Sequence, residues 1–140
     1  MIRAHVVLAD FAEVDASGKV HLLGAGWTAT RAGANMHAVV VFLKVPTDHV
    51  GTPIPITLRL TSKNGDVVEQ PGLGGSQRLE VKGQIELQEP AGWDSSIDLD
   101  AAFPVNLGTL ALQAGSYTWV VEIEGKEAAN ASFVVHAANI

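Results

Sequence analysis

The sequence contains no cysteine in its 140 residues and has few positively charged side chains. The missing cysteines exclude disulfide bonds and thiolate zinc sites. Nine Lys and Arg stand against fifteen Asp and Glu, for a net charge of −6, and the nine cations are scattered singly along the chain. Because nucleic-acid binding needs a basic patch that displaces phosphate counterions, we expect no nucleic-acid partner.

Long hydrophobic runs are also missing. The longest, AVVVFL at 38–43, has the length of a strand and falls short of the ~18 residues that a membrane helix requires. Arg3, His5 and Asp10 interrupt the N-terminus too early for a secretory signal, and no small-residue cleavage site follows them. We therefore expect a soluble protein made in the cytoplasm, with no membrane partner.

Helical periodicity is almost absent, whereas apolar and polar residues alternate in several segments. In 78–88 the apolar side chains fall on one face, and Gly83 takes an inward place that indicates a bulge or a close neighbour. Segments 54–62 and 97–107 repeat the alternation. Within the latter, Pro104 removes a hydrogen-bond donor, which predicts an edge strand or a break at that point.

Turn signals separate the predicted strands. The tripeptide Ala-Ser-Gly at 16–18 is expected to join strands near 2–14 and 19–30. The Asn-Gly pair within 63–65 predicts a hairpin, because these residues accept positive φ. Longer loops rich in Pro and Gly are expected at 46–53, 70–77 and 89–95.

The closing hairpin contains the turn Glu124-Gly125-Lys126 between strands at 116–123 and 127–136. A two-residue loop would set Trp119 opposite Ser132. We expect a three-residue loop, since register follows the hydrophobic pattern. This loop pairs apolar residues across the hairpin: Tyr117 with Phe133, Trp119 with Ala131 and Val121 with Ala129.

About eight strands with frequent turns predict one domain over 1–140, an all-β antiparallel β-sandwich of immunoglobulin-like or jelly-roll type. A chain of this length buries enough surface for a core without disulfides. The first hairpin and 37–45 are apolar on both faces. Such strands are either central and covered on both sides or covered by another chain, so a subunit contact is one hypothesis.

Residues 21–30, HLLGAGWTAT, place two glycines one residue apart, as a phosphate-binding loop would. A dinucleotide fingerprint needs a third glycine and a following helix, but Ala29 stands at the third position and a strand is predicted to continue. The Lys-Ser/Thr pair of a P-loop is missing as well. We interpret Gly24 and Gly26 as strand glycines that permit close packing, and we expect no cofactor.

The five histidines form no i, i+2 or i, i+4 ligand pair. If Ala16 and Ser17 form the two-residue turn of the first hairpin, His21 lies opposite Ala12 and His5 opposite Thr28, which puts the two rings on opposite faces. They are then too far apart to share a metal ion. The sequence therefore predicts no metal site.

Asp98 and Asp100 share one face of a predicted strand, at a separation of roughly 6–7 Å that paired catalytic carboxylates can use. That face is the solvent face, where no apolar cleft raises the pKa of either carboxyl group. With no cysteine and no Gly-x-Ser-x-Gly elbow, the sequence also offers no nucleophile. We expect the protein not to be an enzyme.

Trp27 and Trp119 lie in predicted strands and are expected in the core, and Tyr117 resembles the tyrosine of a tyrosine corner. Trp93 lies among turn residues, where it is either an interface anchor, a sugar platform or a lid over the end of the sandwich. The candidate partner-binding residues come from the predicted loops and the first hairpin: Trp93, Pro90, Asp94, Phe11, Pro46 and His49.

Five blocks of the sequence occur in order along the chain: IRAHVVLADFAEVD (2–15), GKVHLLGAGWT (18–28), VFLKVP (41–46), LRLTSKNGDVV (58–68) and LQAGSYTWVVEIEGKEAANASFVV (112–135). With them the whole chain resembles a family of small uncharacterised proteins of actinobacteria and their phages. The last block is also similar to the closing hairpin of bacterial immunoglobulin-like domains. The chain departs from the family in 46–53, where no aromatic residue follows the proline.

The resemblance implies a β-sandwich in a phage setting, where small sandwiches decorate capsids and cement capsomers. Our first hypothesis is a non-enzymatic structural virion protein that binds the phage major capsid protein at the capsid surface as a homo-oligomer. The second is a cytoplasmic module that binds a protein or a carbohydrate through Trp93. A hydrolase that uses Asp98 and Asp100 is a third and weaker hypothesis.

Overall fold

The computed structural model describes residues 1–72 and 74–137. Within these ranges the chain forms twelve β-strands and one short 3-10 helix, Thr47–His49. The strands are β1 (Arg3–Ala9), β2 (Phe11–Val14), β3 (Val20–Leu23), β4 (Ala29–Arg31), β5 (Gly33–Val45), β6 (Ile54–Ser62), β7 (Glu69–Gly72), β8 (Gly75–Arg78), β9 (Glu80–Ile85), β10 (Leu99–Leu112), β11 (Gly115–Ile123) and β12 (Lys126–His136). The predicted all-β sandwich is confirmed, and several predicted strands divide into two.

Two sheets pack face to face. The first has three strands in the order β1-β5-β10, and the second has five in the order β4-β12-β11-β6-β9. Their facing side chains form one apolar core, in which Trp119, Ile56 and Leu58 are among the largest buried residues. Burial of these rows is the main stabilising contribution to the sandwich. Two ribbons, β2–β3 and β7–β8, lie outside the two sheets.

Alternation of apolar and polar residues builds the second sheet. Every second residue of β6 from Ile54 to Leu60 is buried, as the sequence predicts. In β9 the inward place of Gly83 faces the ring of Phe103 on β10. A Cβ atom at Gly83 would lie 2.7 Å from Cζ of that ring, so the predicted close neighbour is confirmed.

β10 forms one edge of the first sheet, which confirms the interpretation of Pro104. Pro104 lies opposite Val40 of the central strand β5. The register then shifts between Asn106 and Gly108, and Gly108 has a φ of 65°. A proline and a bulge therefore interrupt the longest edge strand of the sheet, which discourages pairing with a foreign strand.

The closing hairpin has the predicted register but not the predicted turn. Tyr117 pairs with Phe133, and the other two predicted pairs also form. The turn itself is the two-residue loop Glu124-Gly125, whose φ values of 55° and 82° are typical of a type I′ turn. The register shifts after Val121, so a bulge supplies the third residue that we had assigned to the loop.

The first hairpin is shorter than predicted. β1 pairs with β5, which places His5 opposite Phe42 rather than Thr28. β2 pairs with β3, and His21 lies opposite Glu13 rather than Ala12. The predicted register is wrong because Asp15 sets the turn.

The Asp15 carboxylate fixes the turn of this ribbon through several hydrogen bonds. It accepts hydrogen bonds from the Ser17 hydroxyl, the Ser17 and Lys19 backbone N–H groups and the His21 ring. These bonds, led by that of the Ser17 hydroxyl, hold the pKa of Asp15 below its usual range. The turn that results is one residue longer than the predicted one.

Two smaller features also differ from the prediction. β4 pairs with β12 in parallel, with Thr30 beside Val135, so the sandwich is not entirely antiparallel. β4 joins the second sheet because the chain crosses to it after β3 instead of continuing the first hairpin. Segment 70–77, predicted as a loop, contributes to the ribbon β7–β8, in which Gly75 has a φ of 111°.

The central strand β5 is covered on both faces by its own chain. Val39 and Val41 point into the main core, whereas Ala38 and Val40 pack under the ribbon β2–β3. The side chain of Asn106 fixes this ribbon by accepting the Ala12 N–H at 2.9 Å and donating to the Ala12 carbonyl at 2.7 Å. Of the two explanations for a doubly apolar strand, a central position therefore holds for this part of β5.

Candidate binding surfaces

Five of the six predicted partner-binding residues lie at one end of the sandwich. The last residue of β5, Val45, pairs with the first of β10, Leu99, so the loop after β5 and the loop before β10 leave the sheet side by side. Thr47 Oγ1 donates to the Ser95 carbonyl at 3.2 Å and joins the two loops. The predicted residues at this end are Pro46, His49, Pro90, Trp93 and Asp94.

Trp93 is half-buried against its own loop. Its indole N–H donates to the Ile97 carbonyl at 2.8 Å. Asp94 accepts hydrogen bonds from the Ser96 hydroxyl and N–H, which lower the pKa of its carboxyl group. Ile97 is 53% exposed beside them. The loop is held by local hydrogen bonds and presents an apolar side chain to solvent.

His49 and Pro46 make local contacts within the loop after β5. His49 ends the 3-10 helix, and its Nδ1 lies 2.9 Å from Asp48 Oδ1. Pro46 precedes the same helix as its N-terminal flank. These residues shape the loop end, which is the end of the sandwich formed by the loop after β5 and the loop before β10. The only polar partner of the His49 ring in the described part of the chain is the adjacent carboxylate.

The two carboxylates weighed for catalysis are held by different cations. Asp98 lies just before β10, not within a strand, and its Oδ2 is 3.5 Å from Nη2 of Arg3. Asp100 lies on β10 and forms an ion pair with Lys44. Each carboxylate therefore faces a different cation of its own chain.

An open groove of about 780 Å³ lies beyond the tip of the ribbon β2–β3, on the outer face of the first sheet. Phe42 and Ala102 line its floor, and the His5 ring stacks on Phe42 with centroids 5.4 Å apart. The described residues that complete the lining are Arg3, Ala4, Gly18, Lys19, Val20, Leu43, Lys44, Asp100 and Ala101.

Sequence reasoning missed this groove. Alternation in 37–45 does place Phe42 and Lys44 on the same outer face. The groove nevertheless depends on the ribbon ending at Val14 and Val20, so that it covers only part of β5. The turn at Asp15 sets that length, and its register was predicted wrongly.

Phe11, the sixth predicted residue, lies away from the loop end. It pairs with Leu23 across the ribbon β2–β3. The two side chains point away from the sheet and are 37% and 67% exposed. Since Asn106 anchors the ribbon, the pair is an apolar surface feature on a fixed support.

A cluster of aromatic rings surrounds His37 inside the sandwich. Trp119 Nε1 donates to His37 Nε2 at 2.8 Å, and the rings of Trp27 and Phe133 lie within 5.5 Å of the His37 ring. Burial lowers the pKa of His37 to about 4, and nearby Asp10 opposes this shift. His37, Trp119 and Phe133 are buried and Trp27 is half-buried, so the cluster contributes to the stability of the core.

The predicted core position of Trp119 is confirmed, whereas the predicted strand position of Trp27 is wrong. Trp27 lies between β3 and β4, not in a strand, although its ring packs against the core. Its Nε1 is buried without a hydrogen-bond partner among residues 1–72 and 74–137. The tyrosine corner is confirmed, because the Tyr117 hydroxyl donates to the Gln113 carbonyl at 2.7 Å.

The glycine pair of HLLGAGWTAT lies in an irregular connection after β3, so the strand interpretation is wrong. Gly24 and Gly26 have φ values of 62° and 86°, which favour glycine. A Cβ atom at Gly24 would overlap the Asp10 carboxylate, and the Gly26 N–H donates to the Leu8 carbonyl at 2.8 Å. The predicted close packing is therefore present, and a strand rather than a helix follows.

Residues 1–72 and 74–137 contain no group of three or more His, Asp or Glu side chains placed to hold a metal ion. In the same ranges, no helix has the length and apolarity that a membrane crossing requires.

A protein-family model matches residues 4–136 of the chain. The chain belongs to DUF6941, a family of unknown function. No curated protein and no solved structure matches it. The DUF6941 match includes the loop end and, except for Arg3, both sheets and the groove. It carries no link to actinobacteria or phages, so the phage setting stays a prediction.

Proposed function

We propose that the protein is a non-enzymatic structural protein that binds the surface of another protein as a homo-oligomer, and that its partner is a phage major capsid protein. In this role it decorates the virion capsid and stabilises the contacts between capsid subunits. The capsid setting comes from the sequence resemblance, and the binding surface comes from the fold.

The observation that carries the proposal is the apolar pair Phe11–Leu23. Single exposed apolar residues are ordinary on protein surfaces. Here two large side chains are neighbours across a ribbon, point outward and add nothing to the core. An aromatic and an aliphatic side chain on a rigid support are a suitable anchor for a protein interface.

The arrangement of titratable groups also supports a binding role. Asp100 and Glu122 each pair with a basic side chain on the adjacent strand, and Asp98, just before β10, pairs with Arg3 of β1. Asp15 and Asp94 are used in turns of their own loops. These pairings stabilise strands and loops, and of the three ion pairs only those of Asp98 and Asp100 involve residues that line the groove.

Mass spectrometry of purified phage particles tests the proposal. We expect the protein to be present in a fixed ratio to the major capsid protein. The double variant Phe11→Ser/Leu23→Ser should fold and fall at least about tenfold in particle occupancy, since interface anchors contribute a few kcal/mol. Val134→Ser, at a 41% exposed position on β12, is the matched control and should retain occupancy.

Two results would contradict the proposal. One is absence of the wild-type protein from the particles. The other is full occupancy by the double variant, which would show that the ribbon is not the contact surface.

The second candidate, a cytoplasmic module that binds a protein or a carbohydrate, depends on Trp93. A sugar platform needs an open aromatic face with a free polar edge. The Trp93 ring is half-buried and its N–H is bonded to Ile97, so the geometry favours this candidate less.

A further inference from the structure

We propose that the groove and the acidic loop beside it, residues 86–98, form a two-fold interface. Two copies of the chain dimerise through this interface. In this interface the acidic loop of each copy enters the groove of the other. The inference says how the homo-oligomer of the proposed function is built, and it rests only on that part of the proposed function. The Phe11–Leu23 surface is not involved in the dimer.

The groove is the basic half of the proposed interface. Arg3, Lys19 and Lys44 line it, which is three of the nine Lys and Arg in a chain of net charge −6. Asp100 is the only carboxylate among the described lining residues. Arg3 and Lys44 pair with Asp98 and Asp100 of the same chain, so Lys19 is the lining cation with no ion pair in the described structure. On a protein with this acidic balance, the groove keeps a net positive charge beside the half-buried Phe42.

The acidic half is the segment 86–98, which contains four carboxylates and no Lys or Arg. At its end Ile97 is 53% exposed, and the half-buried Trp93 ring lies behind it. The segment therefore combines negative charge with an apolar side chain. The groove offers the complementary combination, because basic side chains line it together with the half-buried Phe42.

The two halves are adjacent on one molecule. Arg3 from the groove rim is 3.5 Å from Asp98 at the end of the acidic segment, and Lys44 pairs with Asp100 two residues later. An isologous dimer requires one surface that is complementary to itself. A basic half next to an acidic half meets this requirement, since a two-fold rotation brings each half onto its opposite.

The complementarity also selects a second copy over an unrelated apolar partner. An unrelated partner would need both a matching charge pattern and a matching apolar side chain, whereas a second copy supplies both from the same end of the sandwich. Charge complementarity of this kind fixes the register of an interface and makes its formation dependent on salt.

Analytical ultracentrifugation of the purified full chain tests the inference, with charge reversals at Lys19 and Glu89. Both side chains are exposed and have no hydrogen bond or ion pair in the described structure, so Lys19→Glu and Glu89→Lys should fold normally. Lys63→Glu and Asp66→Lys are matched controls in the turn that follows β6, at the opposite end of the sandwich.

We expect the wild-type protein and both controls to dimerise at micromolar concentrations, and to do so more weakly at high salt. In the proposed interface Lys19 of one copy faces Glu89 of the other. Lys19→Glu and Glu89→Lys should therefore each raise the dissociation constant at least about tenfold, because each creates two like-charge contacts in a two-fold interface. An equimolar mixture of the two variants should recover the dimer, since both contacts are then attractive again.

Three results would overturn the inference: a wild-type protein that is monomeric at all concentrations, single variants that dimerise as well as the controls, or a mixture that fails to recover the dimer. Failure of the dimer is distinguishable from failure of the proposed function. The dimer is measured on the isolated protein, whereas capsid binding is measured by particle occupancy and by the Phe11→Ser/Leu23→Ser variant.

Discussion

The indole N–H of Trp119 donates a hydrogen bond to Nε2 of His37, 2.8 Å away, inside the apolar core. The bond joins the central strand of the three-stranded sheet to the second sheet, across 82 residues of sequence. Nε2 can accept this hydrogen bond only when it carries no proton. The neutral form of His37 is therefore built into the folded state.

The first prediction is that stability falls as the pH is lowered from 7 to 5. The folded pKa of His37 is lowered to about 4, chiefly by burial, against an ordinary value of 6.5. The unfolded chain therefore binds a proton below about 6.5, whereas the folded chain does not until about 4. The unfolding free energy should drop by about 2 kcal/mol over this range, measured by denaturant titration at each pH.

His37→Gln is the variant that checks this assignment. The Gln side chain has an oxygen that can accept the Trp119 hydrogen bond, and it does not titrate. The variant should lose most of the decrease between pH 7 and 5, while His5→Gln at the surface should retain it. An equal pH dependence in all three proteins would rule out His37 as the cause.

The second prediction compares two tryptophans at the same cluster. Trp119→Phe leaves His37 Nε2 without its donor and opens a cavity in the core, so we expect a loss of about 3 kcal/mol. Trp27→Phe should cost clearly less, because the Trp27 N–H has no partner in the described structure. Thermal and denaturant unfolding of both variants provide the measurement. Equal losses would contradict the explanation.

The third prediction concerns the contact between the two sheets at Gly83. Gly83→Ala places a Cβ atom 2.7 Å from the Phe103 ring, and such overpacking costs about 1–3 kcal/mol. The added change Phe103→Leu should recover part of this loss by making room. Gly74→Ala, where nothing lies within 4 Å, serves as the control and should change stability little.

The fourth prediction concerns the anchor of the ribbon β2–β3. Asn106→Ala removes two hydrogen bonds to Ala12, so we expect faster amide hydrogen exchange in residues 11–23 and a loss of about 2 kcal/mol. Asn130→Ala, whose side chain bonds only Glu127 at the surface, is the control. Unchanged exchange in the ribbon would show that burial of Ala12 alone holds it in place.

Features that depend on local alternation can be predicted from this sequence. β6, β9 and the pairing of Tyr117 with Phe133 follow from apolar residues at every second position, because register in a hairpin is set over a few residues. Even the packing at Gly83 is visible as a glycine in an inward place.

Features that depend on distant partners cannot be predicted in the same way. Both 19–30 and 37–45 are apolar on two faces, so alternation does not decide which of them pairs with β1. The groove depends on that choice and on the turn at Asp15. The bonds of Asn106 to Ala12 join residues 94 positions apart, and no local pattern indicates them. The grouping of loops at one end of the sandwich is easier to predict, because paired strands that end at the same edge place their loops side by side.

The position of β5 at the centre of its sheet has a consequence for how the protein is made. Its partner β10 follows much later in the chain, and the closest pair, Val45 and Leu99, is 54 positions apart. A ribosome therefore releases the apolar run 38–43 well before the strand that completes its sheet. Until β10 emerges, the nascent chain exposes one long edge of β5, and chaperones that hold apolar segments would protect it during that interval.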